Sequence, residues 1–283
     1  MTPAIRISNW REAPKPIPRP VFAIGDVHGR DDLLALLVDA IKAIISENEL
    51  QNSLLIFLGD YIDRGPDGIA ALKRVLDMHS DSEMTCVCLP GNHEQLLWAF
   101  LMSQASERRR IFRTWSKNGG SEVARELGME PERIDMDQFA EAIVQTLGRH
   151  RLEKLAMLPN HYRVGDYVFV HAGIHPDFGL SALERGWTQL PRDKDDEDGD
   201  PLWVRGPFLT HEADHEQGVI VVHGHTPRSE VELLGNRIGL DTGAYETGRL
   251  SAVQLFQTNL RIIQTAPASQ GFRWLRYFIR KKS

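Results

Sequence analysis

Val21-Phe22-Ala23-Ile24-Gly25-Asp26-Val27-His28-Gly29 opens on four apolar residues and turns at Gly25 into a loop carrying a carboxylate and an imidazole. The apolar run reads as a buried strand, and Leu33, Leu34, Leu37, Ile41 and Ile45 beyond it recur at helical spacing. The unit is strand, loop, helix. Residues 53–58 repeat it, with a loop over 59–66 and a helix through Ile69, Leu72 and Val75. Residues 85–89 do so again, with 91–94 as the loop. Successive βα units imply parallel strands joined by right-handed crossovers, and ligands then bind outside the carboxyl ends of the strands.

Residues 95–160 are amphipathic and helix-prone, and read as a helical insertion. The sheet resumes at 166–170, ending at His171, and a further buried strand over 219–222 ends at His223. A polar segment, 177–218, separates them. Beyond Pro227, short alternating runs around Val231, 237–240, 250–256 and 260–263 predict antiparallel strands that complete a second sheet. The expected fold is a two-sheet α/β sandwich with flanking helices. Residues 1–20, with Pro14, Pro16, Pro18 and Pro20, read as an extended polyproline arm; residues 21–265 form the main domain and 266–283 a tail.

A chain of 283 residues that is 42% apolar can bury a full core as one large domain. A formal net charge of -6 gives no basic footprint for nucleic acid, so DNA or RNA is not expected as a partner. Cys86 and Cys88, two apart on one strand face, form no disulfide framework, which makes a reducing cytoplasm the expected compartment. No stretch approaches the roughly 20 apolar residues of a membrane span, and the N-terminus lacks the apolar core of a secretion signal.

Five clusters join an oxygen or nitrogen ligand to glycine: 25–29, 59–65, 91–94, 171–173 and 223–225. Asp26 and His28, one residue apart, can bite a single divalent cation. Asp60 can bridge it to a second, for which Asn92, His171 and His225 supply the mixed oxygen and nitrogen donors that suit transition metals. Two ions roughly 3.5 to 4 Å apart can activate a bridging water and clamp the oxygens of an in-line displacement, which fits phosphate ester hydrolysis. Arg64 can fork onto phosphate. His93 can protonate the leaving oxygen, with Asp63 fixing its tautomer. The glycines let the backbone bend beside the ligands.

The clusters at 25–29, 59–65 and 91–94 resemble the three signature blocks of the phosphoprotein phosphatase family within the calcineurin-like metallophosphoesterases, and the histidines at 171 and 225 fit its later blocks. Over roughly residues 21–245, five blocks in order make a specific match. The resemblance implies an α/β sandwich of the metallophosphoesterase type. It implies that Asp26, His28 and Asp60 hold the first metal, and that Asp60, Asn92, His171 and His225 hold the second. It makes His93 with Asp63 the acid dyad, and Arg64 and Arg205 phosphate contacts. It also implies two divalent ions, with manganese expected and iron or zinc as alternatives, and hydrolysis of phosphoserine or phosphothreonine in proteins by a metal-bridging hydroxide. The segments His223-Gly224-His225-Thr226-Pro227 and Leu240-Asp241-Thr242-Gly243-Ala244 are similar to the bacterial and bacteriophage branch, which holds both serine/threonine protein phosphatases and symmetrical dinucleoside tetraphosphate hydrolases. Glu94-Gln95 and Thr226-Pro227 look closer to the protein phosphatases. A metal-containing protein that binds phosphorylated partners without turnover is a third reading, opposed by the intact set Asp60, Asp63, Arg64 and His93.

His223 is read as structural. His211-Glu212-Ala213-Asp214-His215 matches the zinc-protease signature in letters alone, because its polar flanks do not make a helix with an apolar back. The acidic run 193–200 places Lys194 and Arg205 at ligand positions of a calcium loop, which excludes that motif. It is expected as a mobile loop beside the site that discourages polyanions. In the tail, Phe272, Leu275 and Ile279 with Arg273, Arg276, Arg280, Lys281 and Lys282 either dock on the enzyme or give weak contact with anionic lipid.

Overall fold

A computed structural model of the chain describes residues 3–78 and 84–267. The first half runs β1 (Ala4–Ile7), β2 (Arg11–Ile24), α1 (Asp31–Glu47), β3 (Leu54–Phe57), α2 (Gly68–Met78) and β4 (Thr85–Cys88). Helices α3 (Asn92–Met102), α4 (Ala105–Lys117), α5 (Ser121–Glu126), α6 (Met136–Leu147) and α7 (Arg149–Ala156) follow. The second half has β5 (His161–Val164), β6 (Tyr167–Val170), α8 (Lys194–Asp198), α9 (Gly206–Leu209), β7 (Ile220–His223), β8 (Glu232–Leu233), β9 (Arg237–Gly239), α10 (Ala244–Thr247) and β10 (Ser251–Ala266).

Two sheets form, in the orders β1-β10-β2-β3-β4 and β5-β6-β7-β9-β8. Strands β3, β6 and β7 are buried along their whole length, as expected of sheets covered on each side. Along β2, Val21 and Ala23 face the second sheet and join Leu54, Ile56, Tyr167, Phe169, Val222 and Ile238 in the core between the sheets. Phe22 and Ile24 point the other way, into a core shared with α1, α2 and the helices of the insertion. The outer face of the second sheet carries Val168, Val170 and Val221 against Leu183, Val204 and Phe208. Cys86 and Cys88 are buried and form no disulfide, and both face the helical side.

The register of the parallel strands builds the site. Ile24 pairs with Phe57, and Phe57 with Cys88, so the loops after β2, β3 and β4 start at one level. In the second sheet, parallel β6, β7 and β9 end at Val170, His223 and Gly239. The loops after them meet the first set: His171 Nδ1 lies 2.8 Å from the Leu58 carbonyl oxygen.

Three expectations are corrected. The polyproline arm expected over 1–20 is not formed by its described residues, 3–20: β2 begins at Arg11 and pairs with β10 through Arg11, Glu12 and Ile17. Proline at every second position strips N–H groups from one edge of a strand only, and β3 pairs with β2 only from Val21, past the last proline. The runs 250–256 and 260–263 are one long bulged strand, β10, which belongs to the first sheet between β1 and β2. The second sheet is mainly parallel in its centre, and begins with β5, which the sequence reading passed over. The basic segment 272–283 lies outside the described residues. Among the described residues no helix is long and apolar enough to cross a membrane.

Candidate active site

Asp60 stands at the centre of the converging loops. Its Oδ2 lies 3.4 Å from His28 Nε2, 3.4 Å from His171 Nε2 and 3.8 Å from His93 Nε2, and its Oδ1 accepts from the His93 backbone N–H at 3.1 Å. Two groups of donors suited to a metal share it: Asp60 with His28 and His93, and Asp60 with His171 and His225, each with ligand atoms within 4.8 Å of one another. A carboxylate common to two such groups is placed to bridge.

The imidazoles are oriented by what their other nitrogen touches. A carbonyl oxygen only accepts, so His28 Nδ1 carries the proton it gives to Ile62 at 3.0 Å, and its Nε2, beside the Asp60 and Asp26 carboxylates, is buried with no hydrogen-bond partner. His171 repeats this arrangement, donating from Nδ1 to Leu58 with Nε2 3.1 Å from Asn92 Oδ1. His225 is reversed: Nε2 donates to the Trp203 carbonyl at 3.2 Å, and Nδ1 faces Asn92 Oδ1 at 3.0 Å. A second hydrogen bond that fixes the tautomer is the usual mark of a metal-binding histidine. The buried, unpartnered His28 nitrogen is the plainest sign that the donor set fits cations.

Asp26 is buried and accepts the His225 backbone N–H at 3.0 Å on both oxygens; its Oδ2 lies 3.9 Å from His28 Nε2. A Cβ on Gly224 would strike that carboxylate. His93 is near enough to Asp60 to stand in for Asp26 by distance alone, but its Nε2 takes a hydrogen bond from Arg64 at 3.2 Å. A site already facing a guanidinium repels a second cation, so Asp26 is the better first-site ligand.

The two residues expected as an acid dyad, His93 and Asp63, lie in contact. His93 Nδ1 is 2.6 Å from Asp63 Oδ2, and the Trp115 indole N–H donates to the same oxygen at 2.7 Å. Burial pushes Asp63 above the usual carboxylate range and lowers His93 to about 4. With Arg64 donating to it, His93 Nε2 holds a lone pair; Arg64 must swing off before that nitrogen can carry a proton to a leaving group. Arg64 also has its guanidinium carbon 5.5 Å from the Tyr245 ring centroid. Arg205 reaches the rim, its Nη1 donating to Thr226 at 3.3 Å, beside His225.

Charge without cations is managed by proton uptake. Burial opposes a charged His171, yet Asp60 and then Asp26 lift it to about 9. Burial, followed by Asp241, raises Asp26. A proton on His171 Nε2 occupies a position a cation would take, since metal ligands must be deprotonated.

The loops are held in uncommon backbone conformations. Among the described residues nine non-glycine positions have positive φ, and His28 (43°), Asp60 (53°), Asp63 (70°), Arg64 (65°) and His225 (65°) are five of them. Such strain gathers where surroundings over-determine a site. Glycine is required at one crossing: a Cβ on Gly29 would lie 2.5 Å from the Gly65 carbonyl oxygen.

Several working residues escaped the sequence reading. Glu94, quoted there without a role, takes backbone N–H groups of Asp60 (2.8 Å), Tyr61 (2.9 Å), Ile62 (3.3 Å) and Gly91 (2.9 Å) on one buried carboxylate; burial and then Asp60 raise it to about 7. Trp115 gave no signal. Asp241, also quoted without a role, is buried near Asp26 with Oδ2 unpartnered. Outside the site, His223 packs edge-on against Phe208. His211 and His215 lie in a stretch without helix, their ring centroids 5.1 Å apart. The acidic run 193–200 is ordered as α8, with Asp196 and Asp200 paired to Arg185, and Lys194 to Glu197 and Asp198, so much of its charge is neutralised within the protein.

Comparison with known proteins agrees with this geometry. A family profile described as calcineurin-like phosphoesterase matches residues 19–259. The chain is 28% identical to a bis(5'-nucleosyl)-tetraphosphatase PrpE, asymmetrical, of Anoxybacillus flavithermus, over 82% of this chain and 88% of that one. It is 26% identical to serine/threonine-protein phosphatase 1 of Salmonella typhimurium, over 89% of this chain and 95% of that one. Among solved structures, the cold-active protein-tyrosine phosphatase of a psychrophile, Shewanella sp., superposes with a TM-score of 0.51 at 19% identity, covering 83% of this chain and 77% of that one. At that identity the likeness speaks for the fold alone.

Proposed function

Because the chain belongs to the calcineurin-like phosphoesterases, we propose that it is a dinuclear-metal phosphatase hydrolysing phosphoserine and phosphothreonine in proteins. Asp26, His28 and Asp60 would hold one ion, and Asp60, Asn92, His171 and His225 the other. The imidazole, carboxylate and amide donors suit manganese, with iron or zinc as alternatives. When bound, the ions supply a water made nucleophilic near neutral pH and positive charge for the phosphoryl oxygens.

The rest falls to the protein. Arg64 and Arg205 orient the phosphate; as Arg64 turns to it, His93 Nε2 is released. Once Nε2 has taken a proton from solvent, His93 gives it to the leaving oxygen and returns to neutral imidazole; Asp63, held by Trp115, steadies the imidazolium before that transfer. The observation that carries the protein-phosphatase reading is this buried dyad beside Arg64. A seryl or threonyl alkoxide is a strong base and needs protonation as it leaves, whereas the nucleotide expelled from a tetraphosphate is stable as an anion.

The experiment follows from that contrast. His93→Asn should lower turnover of a phosphoserine peptide by about 10²–10⁴-fold, and turnover of p-nitrophenyl phosphate, whose leaving group needs no proton, much less. Equal losses on both substrates would contradict the assigned role. One observation favours a second reading, a dinucleoside tetraphosphate hydrolase, symmetrical as the sequence resemblance implies or asymmetrical like the PrpE relative: Tyr245 is 38% exposed and sits edge-on to His28 at 5.8 Å, where it can stack on a base. Parallel assays on the phosphopeptide and on diadenosine tetraphosphate separate the two. Higher kcat/KM on the tetraphosphate, falling on Tyr245→Ala, would replace the first reading with the second.

A further inference from the structure

Gln95 lies three residues beyond Asn92 on α3 and is wholly buried. Its amide is fully used. Nε2 donates to the carbonyl oxygens of Trp187 at 2.6 Å and Gln189 at 2.9 Å, and Oε1 accepts from the Trp203 indole N–H at 2.6 Å. The Trp203 carbonyl oxygen in turn takes the Nε2 proton of His225. This last contact gives His225 the tautomer opposite to those of His28 and His171, and turns its Nδ1 toward Asn92. Trp203 belongs to no strand or helix. Its backbone N–H bonds to the Asp200 carbonyl at 2.9 Å within a local turn. The indole bond to Gln95 ties that turn to α3, the helix that carries Asn92 and His93, while the Ala172 N–H bonds to the Pro201 carbonyl at 2.9 Å on its other side.

We propose that Gln95 is a positioning residue for the second cation site: by anchoring Trp203 it places the carbonyl that fixes His225 in the metal-ready tautomer. This rests on the reading of the site as dinuclear. His28 and His171 take their tautomers from the carbonyls of Ile62 and Leu58, which Gln95 does not touch. The effect is therefore confined to the ion held through His225. Outer partners of this kind change metal affinity by about 10–100-fold.

The test is metal binding rather than turnover. Full-length protein stripped of metal is titrated with Mn2+ alone, with free ion and the spin-coupled pair followed by electron paramagnetic resonance. The wild-type chain should take two ions. Gln95→Leu should bind the first with wild-type affinity and the second about 10–100-fold more weakly, so that the coupled signal gives way to a single-ion signal at equal loading. Trp203→Phe, which keeps the ring and removes only the indole N–H, should show the same selective loss. The double variant should be little worse than the weaker single one, because both changes cut one linkage. If Gln95→Leu does not fold, by circular dichroism, Trp203→Phe alone decides. Second-ion affinity unchanged in the folded variants, or equal weakening of both ions, overturns the proposal. A wild-type chain that binds one ion only would instead sink the dinuclear reading on which it rests.

Discussion

Asp60 is the side chain whose removal the site is least able to absorb. One oxygen faces the nitrogens of His28 and His171, the other takes the His93 backbone N–H, and its own backbone is held at a φ of 53°. Asp60→Asn keeps the shape but swaps a negative oxygen for either a neutral oxygen or an N–H donor aimed at nitrogens that must receive a cation. Loss of an outer partner alone changes metal affinity or activity by about 10–100-fold, so loss of the shared ligand should lower turnover of p-nitrophenyl phosphate by more than about a hundredfold. Bound Mn2+ should fall with it. Steady-state kinetics and metal analysis on the purified variant check both, and near-wild-type values would remove Asp60 from the bridging role. The same scale explains why proximity is an incomplete guide to ligation. His93 is close to Asp60 yet faces Arg64, while His225 turns toward the centre the nitrogen opposite to that turned by His28 and His171.

At the scale of elements, the first turn of α3 holds the loop after β3. The Glu94 carboxylate collects N–H groups from Asp60, Tyr61, Ile62 and Gly91, so one helical residue fixes the backbone that presents the bridging ligand. Glu94→Gln turns an acceptor pair into one acceptor and one donor, leaving buried N–H groups facing an N–H. Urea unfolding should show a loss of about 1–3 kcal/mol, and second-ion binding should weaken along with it; an unchanged unfolding midpoint would show that the loop holds itself. Such a contact is invisible in the chain, where Glu94 and Asp60 stand far apart, whereas the ends of β2, β3 and β4 were legible because their short runs are apolar on both faces and a glycine follows each within three residues. The candidate ligands were legible for a related reason: Asp26, His28, Asp60 and Asn92 sit just past β2, β3 and β4, and His171 and His225 just past β6 and β7, so parallel strand ends bring them together. What stayed hidden depends on distant partners. The proline-spaced segment 11–20 looks like a solvated arm until β10 supplies the strand that pairs with its one competent edge. The bulges that make β10 one strand, the Trp115 bond to Asp63 and the Gln95 link to Trp203 leave no local periodicity to read.

Across the whole molecule, the candidate cation sites join the two sheets. Asp26, His28, Asp60 and Asn92 follow strands of the first, and His171 and His225 follow strands of the second. Without cations, Asp26, Asp60 and Asp241 share one buried region, whose charge favours protons on Asp26 and His171 and is partly offset by Arg64 and Arg205. Ions bound to the folded state alone must therefore stabilise the union of the sheets as well as the loops. At a free concentration of 100 Kd, one site adds about 2.7 kcal/mol, and each kcal/mol shifts the midpoint by about 2–4 °C in a domain near this size. Chelation should lower the Tm by about 5–10 °C for a single ion lost, and more if both leave. Scanning calorimetry with and without a chelator, then with Mn2+ restored, measures this directly. The drop should be larger at pH 9 than at pH 7, because His171, with its folded pKa lifted to about 9, holds its replacement proton at the lower pH and is losing it at the higher. A Tm indifferent to chelation at both pH values would mean that no cation bridges the sheets, and the geometry around Asp60 would then need another explanation.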